Sequence, residues 1–352
     1  MLTPLLVRKT STIIRRKRIS QVPGKVIVRK GQTVGTHDFV AEAYVQPKHI
    51  ILDIHRGIGV ASEETEKYIH VNDGESLSAG DLIAGPVGFT RRIVRATISG
   101  KFTLIGNGLA LLQGSGSKLG IKAGFTGKII ELIPNRGVVI EAAGTIIQGV
   151  WGNGRIDEGN FVMKTTCKKP ELVPDDIESI PQNSIVFGGY CRNPSVLKKA
   201  AASSLRGLVF GSIVPDLIGE VQKLPLSVLV LEGFGFIKVN SATYDLLSQI
   251  EGQLAAINSQ PWDRMSGDRP EIIVPSTQTE EISMSKEVEW MIPGTKVRIV
   301  TTSHMGRVGT IEEIKGLAEL PNGLRCPAAQ VLFSDGEAKV IPVANLEVID
   351  FE

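Results

Sequence analysis

Apolar and polar positions alternate with period two through much of the first half of the chain. Across residues 69–83 the pattern runs Ile69, Val71, a polar break at Asn72-Asp73-Gly74, Leu77, a second break at Ala79-Gly80-Asp81, then Leu82 and Ile83. Period two is the spacing of a strand with one face in a core, and the Asp-Gly and Gly-Asp steps supply tight turns that β-branched residues resist. Ile93, Val94, Ala96 and Ile98 lead to another reversal at Ser99-Gly100. The same punctuation recurs upstream, where Pro23-Gly24 turns into Lys25-Val26-Ile27-Val28 and strands are predicted over 40–45 and 50–54. Downstream it returns over 120–124, 127–133 and 137–141. One helix is predicted over residues 57–68, with Ser62 as its N-cap and Glu63 and Glu64 at its positive end. Residues 147–154 close this region with three glycines around Trp151. They permit a tight turn with the indole as a core plug, or a close backbone approach to a ligand. The plug is the favoured reading, because the G-x-G lacks the third glycine of a dinucleotide fingerprint and opens no helix.

Past a polar, proline-rich stretch at 164–183, read as a linker, the period changes. Apolar runs at 185–187, 208–210 and 227–231 alternate with helical segments at 194–202, 216–223 and 241–250, and Asn193-Pro194-Ser195 is a helix start. Continuous apolar strands between helices predict a parallel sheet covered on both faces, whose ligands sit outside the carboxyl ends of the strands. That edge collects Gly188, Gly189, Gly211, Ser212, Glu232, Gly233 and Gly235 as candidate ligand-binding residues. Glu232 could act as an acid or base or hold a ribose hydroxyl; its structural alternatives are capping this edge or pairing with Lys238. No histidine or cysteine nucleophile lies at hand, so catalysis is the weaker expectation. Residues 261–290 read as a connector with an extended stretch at 269–275 and an acidic, mobile portion at 277–289. Residues 291–352 again show short alternating strands, over 294–300, 307–311, 331–333, 339–342 and 345–349.

Charge changes the picture at one end. Residues 1–30 hold nine of the 39 basic side chains and no acid, leaving 30 basic against 37 acidic residues in the remainder. The arm, residues 1–22, offers Arg8, Lys9, Arg15, Arg16, Lys17 and Arg18. Two readings stay open: a basic first strand that packs on the acidic body, and an arm that binds a polyanion. A transit peptide fits less well, since Thr10, Thr12, Ile13 and Ile14 disfavour an amphipathic helix. The three cysteines, Cys167, Cys191 and Cys326, are far apart. They imply a reducing, cytoplasmic setting and no cysteine metal site. His37, His49, His55, His70 and His304 form no metal-ligand pair at helical spacing. No metal and no cofactor is expected, and no apolar run reaches membrane-spanning length.

Two resemblances follow from these residues. The series V-x-x-G-x-x-L-x-x-G-D-L-I-A from Val71, with A-T-I-S-G-K-F from Ala96, resembles the barrel-sandwich hybrid of biotinyl and lipoyl carrier domains, which implies that fold for residues 23–163. The carrier activity would need a lysine at the hairpin tip, and residues 85–95 contain none; the tip offers Phe89, Thr90, Arg91 and Arg92. The stretch from Gly294 through His304-Met305-Gly306-Arg307-Val308-Gly309 resembles the KOW motif of elongation factors and ribosomal proteins. That resemblance implies an SH3-like barrel whose loop, with Arg298, His304 and Arg307, meets RNA or protein.

The resulting expectation is a multidomain α+β protein: a barrel-sandwich-like β region, a small parallel α/β unit over 184–260, and a C-terminal SH3-like β-barrel. Functionally it is a non-catalytic binding protein, docking on RNA, the ribosome or RNA polymerase through the barrel and the basic arm. The alternatives are an adaptor subunit of a multi-subunit or membrane-attached complex, with a homo-oligomer among its forms, and an enzyme or ligand-binding protein using the strand-end loops.

Overall fold

A computed structural model of the chain describes residues 2–351, apart from 46–47, 115, 167–169, 264–266, 277–282, 285–287 and 302–303. Cys167 and most of the stretch expected to be mobile therefore lie outside the described residues. Strands hold 51% and helices 14% of the described residues, so the protein is β-rich, with several sheets and a minority of α structure.

Residues 2–19 are not a separate arm. Leu2–Ile19 is one strand of 18 residues, far beyond the usual five or six, and it is shared by several neighbours. It runs antiparallel to Gly137–Gln148 and to Val288–Trp290, and parallel to Leu346–Phe351 and Ser283–Met284. Period two decides which side chains it buries. From Ser11 to Ser20 burial alternates strictly, so Thr12, Ile14, Arg16, Arg18 and Ser20 point inward while Arg15, Lys17 and Ile19 point out. Leu5, Val7 and Ile14 join a core that also contains Phe125 and Val138 from the first half and Val297, Ile311, Val331 and Val348 from the C-terminal part.

Residues 49–114 form an insertion between Phe39–Val45 and Ser117–Lys122, two strands that pair antiparallel. The insertion has its own core around Leu52, Ile54, Ile83, Phe102 and Leu112. Its helix begins earlier than the sequence suggests. Ile54–Ile58 is capped by Asp53, whose carboxylate accepts from the Arg56 N–H, and ends at Gly59 in the left-handed region. Ser62–Tyr68 is a separate 3-10 turn whose N-cap is Ala61, so Ser62 is not the cap.

The parallel strands are present, in a sheet of mixed direction. Ile156–Met163, Ser184–Phe187, Gly207–Ile213 and Ser227–Phe234 run parallel in that order. Leu254–Asn258 is antiparallel to the first of them, and Trp151–Gly152 to the last. One face buries Val186, Leu208, Phe210 and Val228 under the helix Pro194–Ala202, and the other buries Phe187, Val209 and Leu231 under Ser241–Gln249. Both faces are covered, hence the uninterrupted apolar strands. Trp151 is half-buried against this core and packs edge-on against Phe234 at 5.9 Å.

Two presumed connectors are built into the body. The 164–183 stretch carries Leu172 and Ile177 into the core and a helix, Pro174–Glu178, against Pro194–Ala202. In the second, Glu271–Pro275 is a buried strand between Leu254–Asn258 and Gly137–Gln148. Five antiparallel strands finish the chain: Lys296–Ile299, Val308–Glu319, Arg325–Phe333, Ala338–Pro342 and Leu346–Phe351.

Candidate functional site

The glycine-edged strand ends do not form an open crevice, because the protein's own side chains fill it. A Cβ on Gly188 would collide with Phe210 and Leu172, one on Gly189 with the Pro170 carbonyl, and one on Gly211 with Val239. Ser212 is buried and satisfied, its hydroxyl donating to the Ile237 carbonyl at 2.8 Å and accepting from the Ile237 N–H at 3.1 Å. Gly233 and Gly235 have φ of 140° and 97°. Met305 reaches to within van der Waals range of a Cβ placed on Gly233, and Ile237 stands against Gly306. The loop read as KOW-like thus rests on the very edge read as a ligand site.

Glu232 is the centre of this closure and not a ligand group. It is 3% exposed, with one oxygen 2.6 Å from Arg8 Nη1 and the other 2.5 Å from Arg298 Nη1. Lys238, the partner considered from sequence, is not the one it takes. Arg8 also donates to Thr243 Oγ1 at 2.7 Å, to the Leu231 carbonyl at 2.7 Å and to the Gln148 carbonyl at 3.1 Å. Arg298 continues to Glu347 at 2.6 Å, and Glu347 to Arg269 at 2.7 Å. Burial alone would push the Glu232 carboxyl up, but the guanidiniums of Arg8 and Arg298 outweigh it and hold it below the ordinary range. The same balance, with Arg298 and Arg269 as the cations, lowers Glu347. Such a cluster is satisfied only as a whole: removing one member strands a buried charge. Its parts come from the first strand, the parallel sheet and the C-terminal strands, so it ties three regions together.

A second buried cluster explains the next basic residues. Arg16 donates to both Glu271 oxygens at 2.8–3.1 Å. Arg18 donates to the Ala123 carbonyl at 2.7 Å, lies 3.9 Å from Glu271 and stacks over Phe125. Arg8, Arg16, Arg18 and Arg298 were candidates for phosphate contact; the structure corrects this, since a phosphate could reach them only by unfolding their surroundings. Lys9, Arg15 and Lys17 stay near the surface, with Lys9 3.8 Å from Asp350 and Arg15 2.6 Å from Glu141. Arg307 is forked onto Asp335 and Glu337 at 2.7 and 2.8 Å and lies over the Phe333 ring. His304 Nε2 accepts from Lys339 Nζ at 2.8 Å. Hydrogen bonds from Lys339 and Arg307 hold the Glu337 carboxyl down at about 2.

The remaining candidate surfaces project outward. In the hairpin Val308–Glu319/Arg325–Phe333, Ala338–Pro342 pairs only with residues 328–332. Beyond that point, residues 314–327 form a two-stranded ribbon on which Leu317 is 75% and Leu324 62% exposed. In the insertion, Phe89 at the tip of Leu82–Val87/Arg92–Arg95 is completely exposed. A shallow groove of about 350 Å³ beside His49, Ser76, Ser99 and Lys101 is open to solvent. Among the described residues no group of three or more His, Cys, Asp or Glu could hold a metal ion, and no helix is long and apolar enough to cross a membrane. The Cys191 thiol is buried, and burial pushes it up to about 12, which favours the protonated thiol.

No family model matches the chain, and no curated protein matches it. Among solved structures the chain is similar to the S-adenosylmethionine:2-dimethylmenaquinone methyltransferase of Geobacillus kaustophilus HTA426, at 13% identity over 38% of this chain and 92% of that one, with a TM-score of 0.24. A likeness of that size carries no conclusion about fold or activity.

Proposed function

We propose that the protein is a non-catalytic adaptor, a subunit that joins an assembly through the ribbon of residues 314–327. The observation that supports this reading is the pair Leu317 and Leu324, 75% and 62% exposed on a ribbon with no third strand. A two-stranded ribbon is marginal in water by itself, and large apolar side chains held out on one mark a surface awaiting a partner. In this reading the five C-terminal strands are the KOW-like barrel, and the insertion belongs to the barrel-sandwich-like part. The RNA-docking alternative draws less support, because most of the cations assigned to it are engaged with carboxylates. A cytoplasmic setting is part of the proposal.

The test is affinity capture with the full chain, with and without nuclease, alongside L317S/L324S. Capture of the same proteins after nuclease, lost in the double variant while its thermal midpoint is kept, is the expected result. Capture that nuclease abolishes would replace the adaptor with a nucleic-acid-binding protein.

A further inference from the structure

Part of the protein's free positive charge lies well away from the N-terminal stretch where the sequence concentrates basic residues. From residue 82 to residue 130 there are seven basic side chains and no Asp or Glu. Three of them, Arg91, Arg92 and Arg95, sit on the Leu82–Val87/Arg92–Arg95 hairpin, all exposed and none paired with a carboxylate among the described residues. Arg95 uses one N–H on the Gly80 carbonyl at 2.7 Å and keeps its other donors. The acids nearest in sequence are tied down: Asp81 accepts from the Ser78 N–H at 2.7 Å and Glu75 from the Asn72 N–H at 2.8 Å.

The hairpin is braced from behind. Val94 fills the space over Gly57, the Arg92 side chain crosses Gly59, and His70 Nε2 contacts the Gly85 carbonyl at 2.5 Å. In front of that support the turn closes with the Arg91 N–H donating to the Gly88 carbonyl at 3.1 Å, and Phe89 points into solvent. Polarity is therefore ordered along the hairpin axis: an apolar tip, then arginines, then the rigid module. A bilayer surface has the same order in reverse, with acyl carbon beneath a layer of phosphates and carboxylates.

We propose that this tip docks the protein on an anionic lipid surface, with Phe89 in the headgroup layer and Arg91, Arg92 and Arg95 on lipid phosphates and carboxylates. Two features favour lipid over a nucleic-acid strand. The tip is convex and carries one aromatic, whereas single-strand binders line a groove with several. Its other exposed apolar group, Ile93 at 43%, is aliphatic and offers bases no stacking face. One aromatic and three arginines give reversible attachment, of the order of a single acyl anchor. The proposal is independent of the ribbon, so either can fail alone.

The experiment is co-sedimentation of the full chain with 100 nm vesicles of phosphatidylcholine alone or with about 30% phosphatidylserine, in parallel with a mixed-sequence single-stranded oligonucleotide. Binding to the phosphatidylserine vesicles is expected, falling about tenfold in F89A and about fivefold for each arginine removed in R91Q and R91Q/R92Q. F89W should bind and show a blue-shifted emission component that the parent lacks. Phe89 and Arg91 are exposed, so F89A, F89W and R91Q keep the parent's thermal midpoint. Absence of vesicle binding, or binding that F89A leaves unchanged, overturns the proposal. So does retention of the oligonucleotide alone through the same residues.

Discussion

The first strand and the insertion hairpin are both runs of arginine, and they use it in opposite ways. Residues 15–18 read Arg-Arg-Lys-Arg, yet two of the four are core residues locked on Glu271. The hairpin reads Arg91-Arg92 with Arg95 three residues on, and all three are exposed with no carboxylate partner among the described residues. Charge density in sequence reports neither exposure nor availability. What decides it is whether the opposite face of the strand has a core to join. The first strand is paired along its length inside a large sheet and its inward side chains join the core, so that face is buried whatever it carries; the hairpin is supported from one side only, and Arg91 and Arg95 face solvent.

The contrast can be broken most sharply at Glu232. Replacing it with Gln leaves Arg8 and Arg298 buried without their shared carboxylate and should cost about 3–5 kcal/mol of stability, measured by urea unfolding; a loss under about 1 kcal/mol would mean that the cluster is not a lock. Acid should erase the difference between parent and variant. Glu232 and Glu347 both sit below their usual value of 4.5 in the folded protein. Their contribution is therefore complete above that pH and is lost as pH falls through the lower folded-state values. Urea midpoints of parent and E232Q should converge below about pH 4.5; a gap independent of pH would contradict the charge-based account. Glu271→Gln should follow, at about 3 kcal/mol, since it releases Arg16 and Arg18 in the interior.

On the outward face of the same strand the effect should collapse. Arg15, with 45% of its side chain exposed beside Glu141, should cost less than about 1 kcal/mol as Ala, and less again in high salt. Arg91→Ala should be smallest, within about 0.5 kcal/mol. A hairpin arginine as costly as Glu271 would end the comparison.

Much of this could be read from the chain, though not evenly. Ile14 is apolar, and period two puts Arg16 and Arg18 on its side of the strand, so their burial was implicit in the spacing once residues 2–19 are taken as one strand. The acid-free run from 82 to 130 is equally plain in the sequence, at a lower density of basic residues than the N-terminal stretch. Glu232 was conspicuous as an acid ending an apolar strand; that it faces two arginines 224 and 66 positions away has no local signal.

The alternation of apolar and polar residues, with its glycine turns, was enough to establish a β-rich chain and parallel strands after residue 184, but not that Ile156–Met163, read as part of the first region, runs parallel in the same sheet. Those features are local, because side-chain period and turn chemistry act over a few residues. Which charges are buried, which glycines admit a neighbour and which hairpins are left standing clear depended on contacts between distant segments. Only the folded arrangement could settle these, since a side chain's exposure is a property of whatever packs against it.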